Sequence, residues 1–332
     1  MSVSVIVPAY NAQDFICVAP ASLQSQTLAP LEIIVVNDAS TDETAKVVGS
    51  AATEDSRIRL INLESNLGPG GARNAGIEAA HGDWIALLDA DDRFAPERLE
   101  RLVKLGDETN ADIVTDNLLI YDAVARKIVR QGFRRKGDEP HFNVTLDSFL
   151  YNAAGESTEC DFGLLMPIFR RKTLLERRLH YPVSLRHGED FHLMLDALLS
   201  GCVWVCTKDA YYLYTERMGS ISKAASGMSR TKVNYRAMRA ATDQLLSRPQ
   251  ISSNPRLRAL VARRSNGLKW LDAKRDLIVK FKSEGPASVL KVCAKDPWVA
   301  WNVGRFLFRR VSRKLNALGH AALESRSSQP LR

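Results

Sequence analysis

Residues 84–92 read Trp-Ile-Ala-Leu-Leu-Asp-Ala-Asp-Asp, so an apolar run ends in three carboxylates within four positions. The apolar part is typical of a buried β-strand. Similar runs occupy 3–7, 31–36 and 58–63, and the segments between them show helical spacing. Strands that alternate with helices over about the first 90 residues predict a doubly wound, mainly parallel α/β sheet.

Polar residues follow three of these predicted strands, at 8–11, 37–42 and 89–92. In sheets of this kind, ligands bind in the crevice beyond the carboxyl ends of the strands. We therefore expect the three polar loops to converge on one crevice.

The carboxylates of Asp89, Asp91 and Asp92 repel one another unless a cation neutralises them. Hard oxygen ligands suit Mg²⁺ or Mn²⁺, which commonly bridge protein carboxylates to substrate phosphates. If the strand persists, Asp89 and Asp91 lie on the same side of it. A solvated acidic turn that caps the helix after Pro96 is the alternative, and the residues alone leave both open.

Two further segments offer nucleotide ligands. Asp38 follows the second strand and is a candidate for a base or ribose, whereas Asp42 is expected to cap a helix. Residues 66–76 are rich in glycine but lack the Gly-Lys-Ser/Thr ending of a phosphate loop. We expect a loop at 68–71 and a helix from 72, where Arg73 is either a phosphate or base ligand or a surface arginine.

A second acidic pair, Glu189-Asp190, follows Gly188 at the predicted start of a helix. Capping alone would explain both carboxylates, because helix N-termini favour negative charge. The functional hypothesis makes Asp190 a general base, with His187 as an additional metal-ligand candidate. Downstream, Arg217 precedes a serine-containing loop and is a candidate phosphate ligand.

Charge is unevenly distributed along the 332 residues. Residues 221–332 contain 24 Lys and Arg against 6 Asp and Glu, which leaves 22 basic and 32 acidic residues, a net of −10, for 1–220. Residues 297–315 mix tryptophan, phenylalanine and leucine with arginine and lysine, which fits either peripheral contact with an anionic membrane or an ordinary docking helix. Nucleic acid is not expected as a partner, because no known nucleic-acid-binding motif is present.

Several observations bear on the cellular location of the protein. Its five cysteines are scattered without a disulfide or zinc pattern, which is typical of a reducing cytosol. The N-terminus lacks the basic region of a signal peptide. No apolar run reaches the roughly 18–20 residues that a bilayer span requires. We expect a cytoplasmic protein, with peripheral contact at the inner face of the cytoplasmic membrane as the further expectation.

The motifs at 3–11, 35–42, 66–76, 88–92 and 188–190 resemble, in this order, those of glycosyltransferase family 2. The resemblance covers about residues 3–222 and implies the GT-A fold, a Rossmann-like sheet. It implies a catalytic domain at 1–222, with a nucleotide-binding half at 1–110 and an acceptor half at 111–222. Residues 223–332 would form a basic helical extension.

The resemblance also implies roles for individual residues. Asp190 would be the catalytic base of an inverting transfer, and Asp91 would bind Mn²⁺ or Mg²⁺, with Asp89 and His187 as further metal candidates. The nucleotide-sugar, a UDP-sugar such as UDP-glucose, would be held by six residues: Pro8, Tyr10, Asp38, Arg73, Asp89 and Arg217.

The motif Gln-x-x-Arg-Trp of processive members is absent from the sequence, so we expect one sugar to be added per encounter. Size and basic tail are similar to those of bacterial enzymes, including succinoglycan glucosyltransferases, that build exopolysaccharide on a lipid carrier. The acceptor would then be a saccharide, lipid-linked in the same way. A nucleotidyltransferase and a non-catalytic sugar-nucleotide or membrane-binding module are the alternatives.

Overall fold

A computed structural model describes residues 1–135, 137–153, 161–216 and 233–308. The chain divides into two compact units, Met1–Ser265 and Asn266–Arg332. The functional boundary at 222 stays a prediction. Arg217 lies outside the described residues, as does the part of the basic tail from 309 onward.

The first half of the sheet consists of the four predicted strands, and three helices connect them. The pairing is parallel throughout, in the order β3-β2-β1-β4. Runs of Val and Ile form these strands because both faces are covered, and every residue of β2 and β4 is buried. The elements are β1 (Val3–Ala9), α1 (Val18–Gln24), β2 (Glu32–Asn37), α2 (Thr44–Glu54), β3 (Ile58–Asn62), α3 (Gly68–Ala79) and β4 (Trp84–Leu87).

The second half extends this sheet, and its pairing is mixed. The elements are β5 (Arg93–Phe94), α4 (Arg98–Glu108), β6 (Ile113–Asp122), β7 (Lys127–Gln131), β8 (His141–Asn143), α5 (Leu146–Asn152), β9 (Ile168–Arg170), α6 (Arg171–Glu176), α7 (Glu189–Leu199) and β10 (Trp204–Glu216). The strand order continues from β4 as β9-β6-β10-β5, with β7 on β6 and β8 on β10. Strand β9 is antiparallel to both β4 and β6, whereas β6 and β10 are parallel.

The remaining described residues are helical, in α8 (Tyr235–Gln244), α9 (Pro249–Ser252), α10 (Pro255–Glu284), α11 (Pro286–Lys295) and a helix at 297–308. An α/β protein with a central sheet and a helical C-terminal region is confirmed. Of the helices in the described ranges, none has the length and apolar character to cross a membrane.

Three local expectations from the residue pattern are wrong: a loop at 68–71, a polar excursion at 126–139 and one strand at 161–169. The glycine-rich segment 68–71 is not a loop: it forms the first turn of α3, where Pro69 is tolerated because no N–H is needed there. The segment 126–139 contains β7, whose residues are all exposed and whose Ile128-Val129 pair does not alternate with polar residues as in a half-buried strand. Residues 161–169 form a short 3₁₀ turn, Phe162–Leu164, before β9 instead of one strand.

Candidate active site

Arg73 lies in α3, and only 4% of its surface is exposed. Its Nη2 donates to Asp89 Oδ1 at 2.9 Å, and its Nη1 faces Asp190 Oδ1 at 3.1 Å and Glu189 Oε1 at 3.3 Å. The ring of Tyr181 lies beside the guanidinium, 5.4 Å from ring centroid to Cζ. One buried arginine therefore joins the loop after β4 to the start of α7, and its interpretation as a surface arginine is wrong.

One cation faces three carboxylates at this place. We call the four residues the Arg73 cluster: Arg73, Asp89, Glu189 and Asp190. Burial raises the pKa of Asp190 to about 7, against the opposing effect of Arg73 and with the help of Glu189 and Asp89. Burial alone would lower the pKa of Arg73, but Asp190 and Asp89 raise it well above its ordinary value. The Asp190 side chain is still 33% exposed, so a carboxyl group with a pKa near 7 is accessible from solvent.

The acidic motif is a turn and not an extension of the strand, because β4 ends at Leu87. Asp92 is 1% exposed and accepts hydrogen bonds from Tyr212 Oη and from the Thr215 N–H, both at 2.7 Å. The Tyr212 hydroxyl also accepts the Asp89 N–H at 3.2 Å. Asp92 therefore anchors the turn to β10 and does not cap α4, which leaves Asp89 and Asp91 partly exposed.

Substitution of Asp92 should destabilise this turn. Burial, with repulsion from Asp89 and Asp91, raises the pKa of Asp92 well above its ordinary value. Asp92→Ala leaves the Tyr212 hydroxyl and the Thr215 N–H without a partner, and we expect a loss of about 1–3 kcal/mol in the free energy of unfolding. Urea denaturation measures it.

Asp92→Asn is the matched variant, because the amide has the shape of the protonated acid and can still accept the Thr215 N–H. It should retain most of the stability that Asp92→Ala loses. Asp14→Ala, at an exposed position, is the control. Equal stability of Asp92→Ala and wild type would contradict the anchoring role.

The residues around the turn fit a divalent cation that a substrate diphosphate helps to hold. The described residues contain no group of three or more His, Cys, Asp or Glu side chains that could bind a metal alone. Mg²⁺ normally needs only one or two carboxylates when phosphates and water complete its shell. Asp91, with Asp89 beside it, can supply those carboxylates.

His187 also fits a ligand role. Both of its ring nitrogens are buried without a hydrogen-bond partner among the described residues. Burial lowers the pKa of His187, which favours the neutral imidazole that metals bind.

The predicted nucleotide ligands differ in what they contact. Tyr10 follows β1 and is 52% exposed, so its ring is available for stacking, and Pro8 is partly exposed within β1. Asp38 is 3% exposed, and its carboxylate accepts the N–H groups of Leu67 at 2.7 Å and Gly68 at 2.9 Å. Asp38 therefore holds the start of α3, and its contact with a nucleotide stays a prediction.

Sequence reasoning missed three residues of the site. The sequence predicts only a capping role for Glu189. It predicts core or half-buried sheet for the run Tyr211-Tyr212-Leu213-Tyr214, to which Tyr212 belongs. The adjacency of Glu189 to Asp190 was a signal that could have been used. Tyr181 had no sequence signal, because its place beside Arg73 depends on tertiary packing.

Comparisons with known proteins agree on one family. Residues 4–174 match the family described as Glycosyl transferase family 2. The chain is 33% identical to succinoglycan biosynthesis protein ExoO of Rhizobium meliloti (strain 1021), over 97% of this chain and 90% of that protein. It is 31% identical to succinoglycan biosynthesis protein ExoU of the same organism, over 76% of this chain and 71% of that protein.

Among solved structures, TarS 1–349 from S. aureus in complex with UDP-GlcNAc is similar in fold. The TM-score is 0.60 at 26% identity, over 80% of this chain and 73% of that one. The GT-A fold expected from the motifs is thereby confirmed.

Proposed function

The chain belongs to glycosyltransferase family 2 and uses a nucleotide-sugar donor, and from that premise we propose a specific reaction for it. It transfers one hexose from a UDP-sugar such as UDP-glucose, with inversion, to a lipid-linked saccharide in exopolysaccharide synthesis. Similarity to two succinoglycan biosynthesis proteins supports the pathway class. Family membership favours transfer over the nucleotidyltransferase and binding-module alternatives.

The observation that carries this proposal is the bridge that Arg73 makes between Asp190 and Asp89. A base that activates the acceptor must lie across the sugar from the departing diphosphate. The bridge fixes the candidate base in relation to the turn that would hold the nucleotide. Asp190 Oδ takes the proton of the acceptor hydroxyl, whose oxygen forms a bond to the anomeric carbon as the bond to the diphosphate oxygen breaks.

The remaining residues would bind and orient the donor. Tyr10 stacks on the base, while Asp89 and Asp91 face the ribose and diphosphate. A bound Mn²⁺ or Mg²⁺ would stabilise the negative charge that develops on the leaving diphosphate. Arg217 is proposed as a second source of positive charge there. We place the reaction at the inner face of the cytoplasmic membrane, where a lipid-linked acceptor would be met.

UDP should raise the Tm of the protein in the presence of Mn²⁺ or Mg²⁺ and not in the presence of a chelator. At a ligand concentration about 100 times the Kd, the stabilisation would be about 2.7 kcal/mol. Asp91→Asn should lose this metal-dependent increment because it removes a carboxylate ligand. Differential scanning fluorimetry measures both effects.

Glu54→Gln, at the exposed end of α2, is the matched control and should behave as wild type. An equal rise in Tm with UDP in chelator and in Mn²⁺ would remove the metal from the proposal.

A further inference from the structure

The C-terminal unit is described over residues 266–308, and aromatic contacts define its packing. Trp270 lies 6.5 Å from Trp298 between ring centroids, and Lys274 Nζ lies 4.5 Å from the ring centroid of Phe306. These pairs advance along both helices in the same direction, so α10 and the helix at 297–308 run parallel. Helix α11 follows α10 after a turn at Gly285, whose φ is +78°.

Large apolar side chains are exposed at the end of this unit near Gly285. Phe308 lies two residues beyond Phe306, and helical rise places it about 3 Å further toward that end. Phe281 and Leu290 lie within about five residues of the turn, on either side of it. The exposed set is Ile278 at 45%, Val279 at 59%, Phe281 at 53%, Leu290 at 70%, Leu307 at 53% and Phe308 at 73%. We call this set the Gly285 patch.

Trp301 adds an aromatic ring further from that end. It is 69% exposed and lies seven residues before Phe308, and so on the same face of its helix. The separation along the helix is about 10 Å. Tryptophan at such a distance from an apolar end is typical of the zone where a membrane meets water.

Positive charge accompanies the patch. Lys280, Lys282 and Lys291 are exposed among its members, and Arg305 is exposed between Trp301 and Phe308. Residues 266–308 contain eight Lys and Arg against four Asp and Glu, and 309–332 add six against one. Exposed apolar groups with surrounding cations fit a partner that has an apolar interior and an anionic surface.

An anionic lipid bilayer meets both requirements. A second copy of the chain would bring its own lysines against these lysines, which repel one another. Nucleic acid would leave the aliphatic side chains Ile278, Val279 and Leu290 without an apolar environment. The charge and the exposed apolar groups together therefore favour the bilayer.

We propose that the Gly285 patch inserts into the surface of an anionic membrane, with its lysines at the headgroups. The proposal deepens the proposed function, because a lipid-linked acceptor would then be met at the same surface. It differs from the expectation drawn from the sequence, which limited membrane contact to residues 297–315. Four of the six members of the patch lie in residues 278–290, on α10 and α11.

Sedimentation of the full chain with vesicles tests this. Wild type should bind vesicles of phosphatidylcholine and phosphatidylglycerol, and bind vesicles of phosphatidylcholine alone more weakly. Phe281→Ser combined with Leu290→Ser should weaken binding at least about tenfold, because two large apolar side chains no longer leave water. Lys280→Glu combined with Lys282→Glu should also weaken it, and added salt should reduce the difference between these lysine variants and wild type.

Val124→Ser is the matched control, since Val124 is 78% exposed in the other unit, and its binding should equal that of wild type. Wild-type binding by the Phe281 and Leu290 variant would overturn the proposal and leave an anchor made of charge alone. Dimers in size-exclusion chromatography that this variant abolishes would show a protein interface instead.

Donor hydrolysis without vesicles separates this proposal from the proposed function. The patch variants should hydrolyse UDP-sugar as wild type does, because they lie outside the Arg73 cluster. If the protein binds vesicles but transfers no sugar, the proposed function is wrong and the proposal of a membrane-binding patch still holds.

Discussion

Asp190→Asn should lower kcat for sugar transfer by about 10²–10⁴-fold, the range that general-base catalysis typically contributes. The amide keeps the shape of the side chain and can accept a hydrogen bond from Arg73 Nη1, so the site should stay assembled. Binding of the UDP-sugar should therefore be unchanged in calorimetry, while transfer to the acceptor is lost. A radiolabelled transfer assay measures kcat.

Glu108→Gln is the control, because Glu108 is a surface residue whose side chain is 59% exposed. It should leave both kcat and donor binding as they are. Turnover near that of wild type in Asp190→Asn would rule out this residue as the base.

The pH dependence of the wild type offers a second readout of the same role. Because the base must be a carboxylate and burial raises the pKa of Asp190 to about 7, kcat/KM should rise with pH and level off above that value. Glu189→Gln removes a neighbouring negative charge and so lowers the pKa of Asp190. The acid limb of its profile should therefore move to lower pH, whereas Asp190→Asn should have no such limb.

The core of the fold was predictable because its strands carry their signal locally. Residues 3–7, 31–36 and 84–88 are apolar runs interrupted only by Ser4 and Glu32, as is typical of strands buried on both faces. Strand β7 was not predictable, since all its residues are exposed and its pairing with β6 alone defines it. The start of α3 was misjudged because its stabilising partner, Asp38, lies thirty residues away from Gly68.

The candidate site likewise contains some residues that have a local sequence signal and others whose positions depend on distant contacts. Asp89 and Asp190 follow recognisable local signals, a strand end and a helix start. That Arg73 is buried between them could not be read from the sequence, because it depends on contacts 16 and 117 positions apart. The burial of Asp92 against Tyr212 is likewise a contact 120 positions apart. Residue type and spacing indicate which polar groups follow strand ends and helix starts. Tertiary packing decides which of these groups are buried.

Arg73→Met should destabilise the protein by up to about 3–5 kcal/mol, because it leaves buried Glu189 and the partly exposed Asp89 and Asp190 without their cation. Urea unfolding measures the loss. Lys104→Met is the control: Lys104 pairs with Glu108 at the surface, so we expect no more than about 1 kcal/mol. A loss of that smaller size for Arg73→Met would show that the cluster does not depend on its arginine.

The loss from Arg73→Met should also depend on pH and on Asp190. Without Arg73, which lowers it, the pKa of Asp190 rises above about 7, further from its value in the unfolded chain. A carboxyl group whose pKa is raised by folding stabilises the fold at low pH, and this contribution is lost as pH rises. The destabilisation should therefore shrink in acid. It should also shrink in an Asp190→Asn background, because one fewer carboxylate is then left unpaired, and a double-mutant cycle measures that coupling.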